Sequence, residues 1–96
     1  MARVVYSANA VASLERAFGF LVEDAPEAAL AAVEAIQSAV NLLGFHPLIG
    51  RLITAEVREL VISYGRTGYV ALYRFVPARD EVRVLAIRHQ RELDYP

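Results

Sequence analysis

The sequence predicts an α+β fold with the element order β-α-α-β-β-β: a curved antiparallel sheet with an N-terminal helical hairpin packed on one face. Three observations predict it. Residues 8–43 carry apolar side chains at helical spacing, interrupted once at Asp24-Ala25-Pro26. Residues 57–89 carry three runs rich in β-branched and aromatic residues, separated by turn-forming residues. The chain has 96 residues, so one domain spanning 1–96 must fold around a single core.

The elements follow in order. Residues 2–6, Ala-Arg-Val-Val-Tyr, read as a short strand. Ser7 or Asn9 caps a helix starting near Ala8, whose apolar stripe is Val11, Leu14, Phe18 and Leu21 and which stops near Glu23. Asp24 is the expected cap of the second helix. Pro26 suits its first turn, and Glu27 stands where a capping box places a carboxylate. Ala29, Val33, Ile36, Val40 and Leu43 form its stripe, and Gly44 is the expected stop. So short a connection makes the pair an αα-hairpin, and the alanines of 28–39 let the helices approach closely. Phe45 to Arg51 reads as a loop broken by Pro47 and Gly50. Three strands follow, at Val57–Ser63, Tyr69–Val76 and Glu81–His89. The turns Gly65-Arg66-Thr67-Gly68 and Pro77-Ala78-Arg79-Asp80 join them and force antiparallel pairing. Gln90 to Pro96 is a polar tail with Tyr95 its one large apolar group.

Composition narrows the function. Hydrophobic residues make up 56% of the chain, more than so small an interior can hide, which predicts a lasting apolar patch and hence a partner. Net charge is −1, without the basic excess of a general nucleic-acid binder. All ten basic residues are arginine, the better residue for bidentate contacts with carboxylates and phosphates. There is no cysteine, which excludes disulfides, thiolate metal sites and a cysteine nucleophile. No apolar run reaches the roughly 18–20 residues of a membrane span, and the N-terminus lacks a signal peptide's apolar core. A cytoplasmic protein is expected. The two histidines lie far apart with no spaced carboxylates, so neither a metal nor a cofactor is expected.

Local patterns carry a resemblance. Val4-Val5-Tyr6-Ser7-x-x-Ala10-x-x-x-Leu14 opens the chain, and Ala39-Val40-x-Leu42-Leu43-x-x-His46-Pro47-x-x-Gly50-Arg51 closes the helical half. Val57-Arg58-Glu59-Leu60, Tyr69-Val70-Ala71-Leu72-Tyr73-Arg74 and Val84-Leu85-Ala86-Ile87-Arg88-His89-Gln90-Arg91 mark the strands. In order and spacing these resemble the RelE/ParE toxin superfamily over nearly the whole chain. The resemblance implies the toxin of a type II toxin–antitoxin system, silenced by a cognate antitoxin whose C-terminal segment wraps it. Growth arrest and plasmid stabilisation are the associated roles. RelE-like members cut mRNA on the ribosome, whereas ParE-like members inhibit DNA gyrase and are not nucleases.

Cutting RNA at a 2′-hydroxyl needs a group to activate that hydroxyl, cations for the phosphorane and an acid for the leaving oxygen. Here Val70 stands where many RNase members have arginine after the tyrosine that begins the third strand. There is no lysine to match the paired lysines of some members, and Gln90 replaces a tyrosine beside the terminal histidine. His89 does match that histidine. The incomplete set and the near-neutral charge favour a ParE-like gyrase inhibitor over a RelE-like endoribonuclease acting on ribosome-bound mRNA.

The residues expected to bind target or antitoxin are Arg58, Arg74, Arg88, His89, Arg91 and Tyr95, on the sheet and the tail from Arg88 to Pro96. As a ribonuclease the chain would rely on His89 as general acid or base with Arg58, Arg88 and Arg91. Each has a plainer reading. His89 packs at a strand end, the arginines solvate an edge and deter strand-to-strand aggregation, and Tyr69 and Tyr73 pack in the core rather than stack on bases. Strand alternation puts Arg88 and His89 on opposite faces. Arg51 is expected to hold the loop by a salt bridge.

Overall fold

The computed structural model describes residues 1–23, 25–64 and 67–89. The chain runs β1 (Arg3–Tyr6), α1 (Ala8–Val22), α2 (Pro26–Asn41), β2 (Arg51–Leu52), β3 (Arg58–Tyr64), β4 (Thr67–Val76) and β5 (Glu81–His89). Short 3-10 turns at Leu42–Gly44 and Pro77–Arg79 join them. One five-stranded sheet has the order β1-β5-β4-β3-β2, and the helices cover one of its faces. The expected two-layer architecture is present.

Helix α1 begins where Ser7 provides an oxygen. The Ser7 hydroxyl accepts the Ala10 N–H at 3.0 Å and donates to the Leu85 carbonyl at 3.1 Å. Asn9 does not cap; its side-chain amide donates to the same carbonyl at 3.0 Å. That carbonyl is available because the β4–β5 register passes from Leu72↔Ala86 to Tyr73↔Val84 and skips Leu85, a bulge that ties the helix start to β5. The buried stripe of α1 is rotated from the expected one. Ala10, Leu14, Ala17 and Leu21 face the core, while Val11 and Phe18 are 44% and 37% exposed. Small residues facing the sheet let the helix sit close, which leaves the bulky neighbours on the flanks.

The second helix differs from expectation at its start. Asp24 lies outside the described residues, and the cap position falls on Ala25, whose methyl group offers no acceptor. Pro26 is then the first helical residue and Glu27 the second, so Glu27 favours the positive helix end by its charge and closes no capping box. Ala29, Ala32, Ile36 and Val40 are buried on α2. Gly44 ends the 3-10 turn without left-handed backbone. It is glycine because the residue before β1 passes against it: a Cβ there would stand 3.0 Å from the Ala2 carbonyl, and the Ala2 N–H donates to Gly44 O at 2.7 Å.

The sheet also departs from a purely antiparallel one. β3, β4 and β5 pair antiparallel through their tight turns, but β1 lies parallel to β5, with Arg3↔Glu81 and Val5↔Arg83 in register. The segment read as a loop, Phe45 to Arg51, ends inside β2, whose two residues pair with β3 as Arg51↔Glu59 and Leu52↔Arg58. Gly65 and Arg66 of the first turn, and the tail from Gln90 to Pro96, lie outside the described residues. In the second turn Asp80 takes left-handed backbone (φ 48°), which aspartate tolerates better than most residues. Its carbonyl accepts the Arg3 N–H at 2.9 Å. The core joins Ile36, Val40 and Leu43 to Ile62, Tyr69, Ala71, Tyr73, Val82, Val84 and Ile87.

Candidate functional site

Register fixes which side chains share a face, because directly paired residues point the same way. Tyr69 pairs with Ile62 and His89 on the helix-covered face, and Tyr73 with Arg58 and Val84. Val70 pairs with Val61 and Arg88 on the opposite face, away from the helices, and Arg74 with Arg83. The expected binding residues therefore separate. Arg58 and His89 share the helix-side face, but their partners Tyr73 and Tyr69 are four residues apart on β4, roughly 13 Å along a strand. Arg74 and Arg88 lie on the other side. Arg91 and Tyr95 lie outside the described residues.

Each described residue has a local occupation. Arg58 donates to the Leu48 carbonyl at 3.1 Å and the Gly50 carbonyl at 2.8 Å, so its guanidinium holds down the loop before β2. Arg51, expected to hold that loop, pairs with Glu59 across β2 and β3. Arg74 stands 3.5 Å from Glu56, an exposed pair of small energetic weight. Arg88 is exposed near the end of β5. The His89 ring meets Tyr69 edge-on, with centroids 5.3 Å apart and planes at 85°. Tyr69 and Tyr73 are buried, as the packing reading expects. The Tyr73 hydroxyl accepts the Gly50 N–H at 2.8 Å, and burial pushes its pKa above the usual 10.

One charged group was not singled out from the sequence. Glu81 receives Arg83 Nε at 2.6 Å and Arg3 Nη2 at 2.8 Å, and the two guanidinium groups cover it. Their hydrogen bonds, that of Arg83 first and that of Arg3 second, hold its carboxyl at about 2 rather than 4.5. The Glu-x-Arg spacing of Glu81 and Arg83 put both on one face. The parallel placing of Arg3 was not legible, because nothing in the sequence gives the edge that β1 joins. A depressed carboxyl stabilises the fold above its unfolded value and loses that contribution as pH falls through its folded value. The stability difference between wild type and Glu81→Gln is therefore expected to be full above about pH 4.5 and to vanish towards pH 2. Urea midpoints measured across that range check it; a difference independent of pH contradicts it.

Among the described residues no group of three or more His, Asp and Glu is placed to hold a metal ion. No described helix is long and apolar enough to cross a membrane. Among the described residues the arrangement offers surfaces more than a pocket of converging catalytic groups: the sheet face away from the helices, carrying Arg3, Arg74, Arg83 and Arg88, and an apolar stretch from Leu42 to Ile53.

Comparison with known proteins supplies the context. Residues 4–94 match the family model described as the ParE toxin of the type II toxin–antitoxin system, parDE. Toxin RelE3 of Caulobacter vibrioides is 40% identical over 73 residues, covering 76% of this chain and 77% of that protein. Among solved structures, the chromosomal ParDE TA system from P. aeruginosa superimposes with a TM-score of 0.76 at 26% identity, over 93% of this chain and 96% of that one.

Proposed function

We propose that this chain, which belongs to the ParE toxin family of type II toxin–antitoxin systems, poisons DNA gyrase by binding it and is silenced by a cognate antitoxin. The working site in this reading is a surface, and no bond is made or broken on it. The reading places the protein in the cytoplasm and makes growth arrest the result of its release from the antitoxin.

The observation that carries it is the separation of the described groups a ribonuclease would need. Acid–base cleavage requires its histidine and its cations within hydrogen-bond reach of one phosphate. Arg58 holds two loop carbonyls, Arg88 lies on the opposite face from His89, and His89 packs against Tyr69. Val70, where many ribonuclease members carry arginine, is 2% exposed. Support for the partner comes from the ParDE likeness, a toxin–antitoxin system by its own description.

The second reading, a RelE-like endoribonuclease acting on mRNA, is favoured by the 40% identity to a protein named Toxin RelE3 and by His89. A growth assay separates the two. Induced without antitoxin, His89→Ala is expected to arrest growth within about threefold of wild type, since a binding surface loses one contact where an acid–base catalyst loses ~10²–10⁴ in rate. Harmless expression of a His89→Ala protein with a native circular dichroism spectrum supports the nuclease.

A further inference from the structure

The chain leaves apolar side chains in solvent along one segment. Leu48, Ile49 and Leu52 are 59%, 57% and 51% exposed, and Ile53 is 43% exposed. Scattered exposed hydrophobics are ordinary, but these follow one another closely. They also stand on backbone that is fixed. The Gly50 N–H donates to the buried Tyr73 hydroxyl at 2.8 Å, Arg58 donates to the carbonyls of Leu48 and Gly50, and the Ile53 N–H donates to Val57 O at 2.9 Å. A segment latched by its backbone cannot turn these side chains inward. It presents them with the ordering entropy of binding already met.

The flank of the patch identifies what fits it. Leu52 lines a hollow at the end of the sheet together with Arg58 and Arg74, and Glu56, paired with Arg74, is the one carboxylate among its described lining residues. Arg51, its side chain 76% exposed, follows Gly50. Charge is divided along the chain: residues 1–50 carry two arginines against five carboxylates, and residues 51–96 carry eight against six. A second copy docking through the same patch would bring two sets of Arg58 and Arg74 to one interface against only the two Glu56 carboxylates. Nucleic acid would meet an apolar floor and the Glu56 carboxylate.

We infer that Leu48, Ile49, Leu52 and Ile53, flanked by Arg58 and Arg74, seat an amphipathic segment of the cognate antitoxin with acidic residues at its margin. The inference rests on the reading that the chain has such a partner. Its test is calorimetric titration of the purified chain with its purified antitoxin. Leu48→Glu and Ile49→Glu each put a carboxylate where an apolar, acid-flanked segment must sit, and each is expected to weaken binding roughly 30-fold or more. Arg74→Glu is expected to weaken it and to flatten its salt dependence. Leu30→Glu, at a position 55% exposed on α2, is expected to leave affinity unchanged. Full affinity in Leu48→Glu and Ile49→Glu with native circular dichroism overturns the inference. So does a self-associated wild type that Leu48→Glu disperses without loss of antitoxin affinity, because the patch then belongs to a second copy. A wild-type chain that binds no antitoxin overturns the reading beneath the inference, a result distinct from either.

Discussion

Gly50→Ala is expected to destabilise the protein by about 2–3 kcal/mol, although the change adds a single methyl group. A Cβ at position 50 would stand 2.6 Å from the Tyr73 hydroxyl oxygen and 2.7 Å from both Tyr73 Cε1 and the Glu59 carbonyl oxygen. None of these can yield cheaply. Glu59 O belongs to strand backbone, and the Tyr73 ring is fully buried. The loop would have to lift, which breaks the Gly50–Tyr73 hydrogen bond and the grip of Arg58 on the Gly50 carbonyl. For a chain of 96 residues the cost corresponds to a fall in Tm of roughly 10–20 °C. Thermal unfolding followed by circular dichroism measures it, and an unchanged Tm would show that the loop does not pack this closely.

The second large effect is at Tyr73, the largest fully buried side chain among the described residues. Tyr73→Ala removes a ring from the centre of the sheet's covered face and is expected to cost about 3–5 kcal/mol, much of the whole stability of a small domain. Tyr73→Phe separates the hydroxyl from the ring. It strands the Gly50 N–H without its acceptor at a cost of about 1–3 kcal/mol. Because Gly50 and Tyr73 meet directly, their substitutions should not add. Gly50→Ala is expected to cost less in the Tyr73→Phe background, where the hydroxyl clash and the hydrogen bond are both already gone. Urea unfolding of the two single variants and the double variant checks this, and strict additivity would contradict it.

These two residues also mark how far the sequence could be read. The helices and the three long strands were legible because each has a period of its own and a clear stop, such as Pro26 or the turn at Pro77 to Asp80. The short β2 was not. Two residues, Arg51 and Leu52, show no periodicity, and they pair only because Gly50 lets the loop lie on Tyr73. Neither was the parallel edge made by β1. A hairpin turn dictates the direction of its strands, but a strand followed by two helices can rejoin the sheet at either edge and in either sense. The rotation of the α1 stripe has the same origin. Valine and phenylalanine outrank alanine in any hydrophobic pattern, yet Ala10 and Ala17 face the sheet because closeness outweighs side-chain area there.

The candidate site was legible in part. Alternation put Arg88 and His89 on opposite faces, and the packing reading put Tyr69 and Tyr73 in the core, as the structure has them. The work of Arg58 was hidden, because a hydrogen bond from a strand arginine to loop carbonyls depends on how the loop folds back. The apolar excess in the composition announced an exposed patch, but only the fold locates it between Leu42 and Ile53.

In the proposed mode of action the toxin occupies gyrase and cuts no RNA. A supercoiling assay with the purified chain and DNA gyrase tests it most directly, run beside an in vitro translation reaction in which mRNA is followed. The expected result is inhibited supercoiling with intact mRNA. Cleaved mRNA with unimpaired supercoiling would contradict the claim, and would mean that His89 works without an arginine at the place Val70 holds.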